Sequence, residues 1–134
     1  MRALVLIVSL VLPLACQQKS HAPHASQAAE PAGAPVAAET SGDVQIADLK
    51  ISGGEYQPAS LSVRAGVPLR LNVTRDDKPG CGEVLSIPSQ NIKRDIPLNQ
   101  VTTIEFTPQQ PGAIEFTCGM NMMRGSIVVQ ETEV

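Results

Sequence analysis

Pro111-Gly112-Ala113-Ile114-Glu115-Phe116-Thr117-Cys118, then Gly119-Met120-Asn121-Met122-Met123-Arg124-Gly125, then Ser126-Ile127-Val128-Val129-Gln130: this stretch decides how the chain reads. In the first piece Ile114 and Phe116 alternate with polar neighbours after a Pro-Gly turn, the period-two pattern of a strand with one buried face. The third piece is β-branched and follows a glycine, as a closing strand would. Between them lies a loop dense in sulfur. One thiol and three thioethers fall within the six residues Cys118 to Met123, and Met1 is the only other methionine of the chain. Thiolates and thioethers are soft donors, which favour Cu(I) over Mg(II) or Ca(II).

Working outward from this stretch, the period stays at two. Val44 and Ile46 open a first strand that can continue to Ile51, and Gly53-Gly54 breaks it. Leu61 and Val63 alternate up to an Ala65-Gly66 turn. Val67, Leu69, Leu71 and Val73 place four aliphatic side chains on one face. Arg75 to Gly80 is a polar loop ending in a turn signal. Val84 to Ile87 is a short strand stopped by Pro88; Ile92, Ile96 and Leu98 belong to an edge or loop. In 101–107 the face carrying Ile104 and Phe106 is the expected core face. The pattern predicts an all-β domain of about seven to eight short strands without a helix, built as two packed antiparallel sheets, with a small barrel as the alternative.

The remaining residues divide the chain. Residues 1–16 form a basic start, a short apolar run, then Leu14-Ala15-Cys16. The run is too short to span a bilayer and reads as a signal peptide, with Cys16 as the expected lipidated cysteine of a lipoprotein. An ordinary signal peptide with an incidental cysteine is the alternative. By resemblance to lipoprotein sorting patterns, Gln17 permits the outer membrane, so the expected location is the bacterial periplasm, anchored there. Residues 17–42, rich in Ala, Pro, Ser and Gln, read as a disordered tether, stiffened by Pro23, Pro31 and Pro35. Residues 43–134 are left for the folded domain, a small one with a modest core. Net charge is −3, tryptophan is absent, and Tyr56, Phe106 and Phe116 are the only aromatics, so neither a basic patch nor a stacking platform for nucleic acid is present. The expected oligomeric state is a monomer.

With these residues in place, the chain resembles the cupredoxin-like family, the Greek-key β-sandwich of plastocyanin and azurin. The resemblance rests on the Pro-Gly turn, the Ile114-Glu-Phe116 strand, Cys118, its loop and the Gly125-Ser-Ile-Val-Val129 strand. Tyr56-Gln-Pro58, Leu61-Ser-Val63 and Ala65-Gly66 match the opening strands. The family's type 1 copper sites use two histidines, a cysteine and usually a methionine. Here the only histidines, His21 and His24, lie in the tether. Cys81 stands where the mid-chain histidine is expected, and Asn121 or Met122 where the loop histidine is. The chain is similar to a cupredoxin subgroup linked with copper-efflux systems and copper-transporting ATPases. That resemblance implies Cys81 and Cys118 as ligands to copper, as Cu(I), with Met120 and Met123 as loop thioethers and Met122 as a further candidate. Glu83 shares a face with Cys81 if the segment is strand-like, and could then serve as an outer group or a ligand.

The expected function is a periplasm-facing Cu(I)-binding protein for copper tolerance, sequestration or delivery. Its partners would be the copper ion and a transporter, ATPase, oxidase or metallochaperone. Two alternatives stand beside it: an electron-transfer protein with a non-classical copper site, and a metal-free structural module closed by a Cys81–Cys118 disulfide. Such a bridge would stabilise the domain by about 2–4 kcal/mol. No enzyme is expected, since no histidine within the domain can act as a general base. The weaker readings stay with their bland explanations: His21 and His24 as chance residues of a tether, and Asn72-Val-Thr74 as a glycosylation sequon without consequence. Asn121 is expected to hold the loop's shape, and Gly119 and Gly125 to permit tight turns.

Overall fold

The computed structural model of the protein describes residues 33–76 and 81–132. These form β1 (Val36–Ala37), β2 (Glu39–Ser41), β3 (Val44–Ser52), β4 (Glu55–Gln57), β5 (Ser60–Arg64), β6 (Leu69–Arg75), β7 (Val84–Ile87), β8 (Ile92–Asp95), β9 (Val101–Phe106), β10 (Gly112–Cys118) and β11 (Arg124–Gln130). Short 3-10 turns at Cys81–Glu83 and Pro88–Gln90 flank β7. One sheet runs β1-β5-β11-β10-β7-β8; the other runs β2-β3-β6-β9, with β4 also paired to β3. The result is the all-β sandwich that the alternation predicts.

The inward faces follow directly from the period. Leu49 and Ile51 of β3, Leu69, Leu71 and Val73 of β6, and Ile104 of β9 line one sheet. Leu61 and Val63, Leu85 and Ile87, Ile114 and Phe116, and Ile127 and Val129 line the other. A side chain of that size contributes about 1.5–3 kcal/mol when fully buried. Among the buried polar residues, Gln45 joins this core at no cost in unmade bonds. Gln45 donates to the carbonyls of Arg64 and Val67 at 3.0 and 3.1 Å and accepts from the Arg64 N–H at 2.6 Å. It thereby ties β3 to the turn that follows β5.

Two expectations need correction. The sheets are mixed rather than antiparallel: β3 pairs β6 in parallel, as does β5 with β11 and β1 with β5. The chain passes from β3 through β5 in the opposite sheet before returning as β6, and that excursion lets β6 run in the direction of β3. Among the described residues the strands also number eleven rather than seven to eight. The additional ones are β1, β2 and β4, of two, three and three residues, too short to show a period. β4 follows β3 through Gly53-Gly54, both at positive φ (62° and 77°), as a two-residue hairpin turn of the primed type requires. β1 and β2 come from the end of the stretch read as tether. They are held by main-chain pairing to β5 and β3, which needs no apolar side chain and leaves no mark on composition. Residues 1–32, including the expected signal peptide, Cys16, His21 and His24, lie outside the described residues.

Candidate metal centre

Cys118 is the last residue of β10, and β10 pairs antiparallel with β7 through Thr117↔Ser86 and Cys118↔Leu85. The 3-10 turn Cys81–Glu83 leads directly into β7. The pairing therefore brings Cys81 and Cys118 to the same end of the sandwich, although the chain separates them by 37 positions. Several contacts fix the turn. Gly119 N–H donates to the Val84 carbonyl at 3.2 Å, and Ile96 N–H donates to the Glu83 carbonyl at 2.8 Å. Gly82 packs so closely that a Cβ there would stand 2.7 Å from Ile51 Cγ2 and 3.0 Å from Arg75 Cδ. Both cysteines are free thiols, and they lie close enough for each to shift the other's ionisation.

The loop after Cys118 wraps its sulfur in backbone donors. Asn121 N–H donates to the Cys118 carbonyl at 3.0 Å, closing a turn, and Asn121 itself takes the left-handed conformation, φ 55°. The chain then doubles back: Cys118 N–H donates to the Met123 carbonyl at 3.2 Å, and Met123 N–H donates to Cys118 Sγ at 3.4 Å. Burial pushes the Cys118 thiol up. The backbone N–H groups of Met123, Met120 and Met122, with the Cys81 thiol, outweigh this and hold it below the ordinary thiol range. Cys81 moves the other way, raised by desolvation and then by its hydrogen bond to Cys118 and the charge there. The pair is thus one thiolate-favouring sulfur beside one that keeps its proton.

The glycines of the loop are needed for close approach rather than for turning. A Cβ on Gly125 would meet the Phe116 ring at 2.3 Å and the Ala59 carbonyl oxygen at 2.9 Å; on Gly119 it would meet Val84 Cβ at 3.3 Å. The expected turn role passes to Asn121, whose short side chain tolerates positive φ.

The sequence-derived candidates separate by burial. Cys118 is 1% exposed and Met123 9%, both within the hydrophobic core, and half-buried Cys81 packs against it. Met120 and Met122 are 62% and 76% exposed, at the tip of the loop. Glu83 is exposed and ends a 3-10 turn, so the strand-like face it was to share with Cys81 does not form: residues i and i+2 of such a helix point apart. Among the described residues no three side chains of His, Cys, Asp and Glu come together as a metal-binding group. What converges is sulfur: two thiols, with Met123 on the loop that clasps one of them. That donor set fits Cu(I).

Tyr56, outside the candidate set read from the sequence, lies beside the loop. Its ring stands edge-on to Phe116, centroids 4.9 Å apart at 79°. Its buried hydroxyl has no hydrogen-bond partner among the described residues. Burial first, then the charges of Cys118 and Cys81, raise it far above the ordinary tyrosine range. With Ala59, Met122 and Met123 it lines a cleft of about 420 Å³ beside the loop. The one clue in the sequence is that it is the chain's sole tyrosine.

Set beside known proteins, the chain matches the profile of the cupredoxin-like domain over residues 6–129. The protein belongs to the cupredoxin-like family. Among solved structures, this cupredoxin-like protein is similar to the metal-binding domain of the Cu(I)-exporting P-type ATPase CopA of Streptococcus pneumoniae D39, solved with Cu(I). The two share 28% identity and a TM-score of 0.71 over 73% of this chain and 97% of that one. It is similar in the same degree to a copper-binding protein solved in its apo form, at 28% identity and a TM-score of 0.69 over 72% and 98%. Auracyanin A, a blue copper protein of Chloroflexus aurantiacus, shares the fold at 15% identity and a TM-score of 0.54, over 65% and 99%. No curated protein sequence matches the chain at a significant level.

Proposed function

We propose that this cupredoxin-like protein binds Cu(I) through Cys81 and Cys118 with the Met123 thioether, and carries the ion as cargo for copper tolerance or delivery. The observation that carries the reading is the pair of free, neighbouring thiols, one of them clasped by the loop that bears Met123. Cys118 supplies the sulfur already disposed to be a thiolate. Cys81 gives up its proton as the ion enters, and Met123 adds a neutral donor that needs no deprotonation. Imidazole, which would stabilise Cu(II), is missing from the domain. The reading therefore favours a Cu(I) carrier over an electron-transfer protein or an enzyme. Similarity to the metal-binding domain of a Cu(I)-exporting ATPase supports a place in copper transport, with an ATPase, another transporter, an oxidase or a metallochaperone as the exchange partner. Met120 and Met122, exposed at the loop tip, suit the first contact with an arriving ion. We further propose a periplasmic location, with Cys16 lipidated and the protein anchored to the outer membrane.

Competition with a chromogenic Cu(I) chelator under reducing conditions tests the assignment. The wild-type protein is expected to take up Cu(I). Cys81→Ser should weaken binding by at least about a hundredfold, more than the loss of a supporting group costs. Met123→Leu, which keeps the packing, should weaken it by about tenfold. Unchanged affinity in Cys81→Ser would remove that residue from the site.

A further inference from the structure

The two thiols differ in access and in surroundings. They are free, near enough for each to shift the other's ionisation, and unequal in access: Cys81 is half-buried on a turn, while Cys118 is 1% exposed beneath its loop. They are also unequal in what surrounds the sulfur, since Cys118 Sγ accepts the Met123 N–H and Cys81 is only half covered. We propose that Cys81 is the point of attack in a reversible thiol–disulfide exchange, with Cys118 as the buried resolving and leaving sulfur, and that the partner is a small disulfide or a dithiol–disulfide exchange protein.

The electrons balance through the exchange reagent alone. Cys81 first gives its proton to solvent, and its thiolate attacks a disulfide RS–SR: the Cys81 Sγ–SR bond forms, the RS–SR bond breaks, and the first RS⁻ leaves and takes up a proton as RSH. Cys118 then attacks Cys81 Sγ, the mixed disulfide breaks, and the second RSH leaves with the Cys118 proton. The protein pair has lost two electrons and two protons, and the reagent has gained them. Reduction reverses the order. An incoming thiolate can reach Cys81 Sγ, whereas Cys118 is shut beneath the loop. Cys118 departs as a thiolate into the hydrogen bond from Met123, and a better-stabilised thiolate leaves faster.

The exchange itself does not depend on copper. Its connection to cargo rests on the function proposed above, because the bridge would consume both thiolates of that site. Cu(I) and the disulfide would then exclude each other. A hundredfold excess of free Cu(I) over its Kd would hold the pair reduced and raise the midpoint of the disulfide–dithiol couple by about 60 mV.

The test uses the full chain and oxidised glutathione, with peptide mapping by mass spectrometry to follow Cys81 and Cys118 separately from Cys16. Without metal, the wild type should pass to a Cys81–Cys118 disulfide with no lasting glutathione adduct. Cys118→Ser should stop at a glutathione adduct on Cys81. Cys81→Ser should react at Cys118 about tenfold more slowly or less. Pulse alkylation of the reduced wild type needs no variant to fold, and should label Cys81 about tenfold faster than Cys118. Equal labelling of the two, or a wild type that keeps a stable adduct or both thiols, would overturn the proposal. A separate arm adds one equivalent of Cu(I), which should slow the exchange. If order and bridge hold but Cu(I) has no effect, the copper reading fails and the exchange stands.

Discussion

Cys118 and Tyr56 show how much of this site is decided by single atoms. The N–H groups turned toward Cys118 Sγ hold its proton loosely despite burial, while Cys81 beside it is pushed upward. The sign of the resulting pH dependence is fixed. Cu(I) displaces the thiol protons, and Cys81, raised above the ordinary range, still carries its proton at neutral pH. Affinity should therefore rise with pH by about one log unit per pH unit until Cys81 ionises, and the slope should steepen toward about two once pH falls below the lowered range of Cys118. Competition titrations from acid to alkaline pH would show it; a flat profile would mean the thiols are not the ligands. Tyr56 has a buried hydroxyl without a partner among the described residues. Removing that oxygen takes away a desolvated polar group and keeps the ring against Phe116. Tyr56→Phe is expected to raise the unfolding free energy by about 0.5–1 kcal/mol, read by denaturant melts. A clear loss of stability would mean that the hydroxyl is satisfied.

At the scale of elements, the β10–β11 hairpin is the frame of the site. Its register sets Phe116 opposite Gly125 and Thr117 opposite Arg124, and the Arg124–Glu115 ion pair at 2.9 Å adds a surface link between the strands. The missing side chain of Gly125 is the space the Phe116 ring occupies. Gly125→Ala puts a methyl group into that ring and against the Ala59 carbonyl, and backbone cannot yield as a flexible side chain would. The expected cost is about 1–3 kcal/mol of stability, measurable by thermal or denaturant unfolding. A neutral effect would contradict the packing described. These strands are legible in the sequence because Ile114, Phe116, Ile127 and Val129 keep the period. The turn bearing Cys81 is not, because Cys-Gly-Glu has no pattern that separates a strand from a 3-10 turn. A strand-like reading of that segment gives Glu83 a shared face with Cys81 that the backbone does not provide. β1 and β2 escaped for a related reason: they pair through main chain, and Ala, Val and Thr in an Ala/Pro-rich segment signal nothing of it.

For the whole molecule, alternation alone indicates two layers, and their facing side chains form one core. It does not reveal which strands lie side by side. The parallel pairing of β3 with β6 and the β7–β10 contact both follow from crossings between sheets, which leave no local trace. The convergence of Cys81 and Cys118 depends on that second contact. Spacing in the chain could not show it; resemblance to the cupredoxin-like family suggested it, and the arrangement of the strands provides it. The fold thus gathers at one end a buried thiol, a half-exposed thiol and the loop that carries buried Met123, with Met120 and Met122 exposed on the same loop. X-ray absorption at the copper edge of the Cu(I)-loaded protein tests this most directly. A shell of about three sulfur neighbours, reduced by one in Cys81→Ser, is the predicted result. A shell dominated by nitrogen or oxygen, or one that Cys81→Ser leaves unchanged, would contradict it.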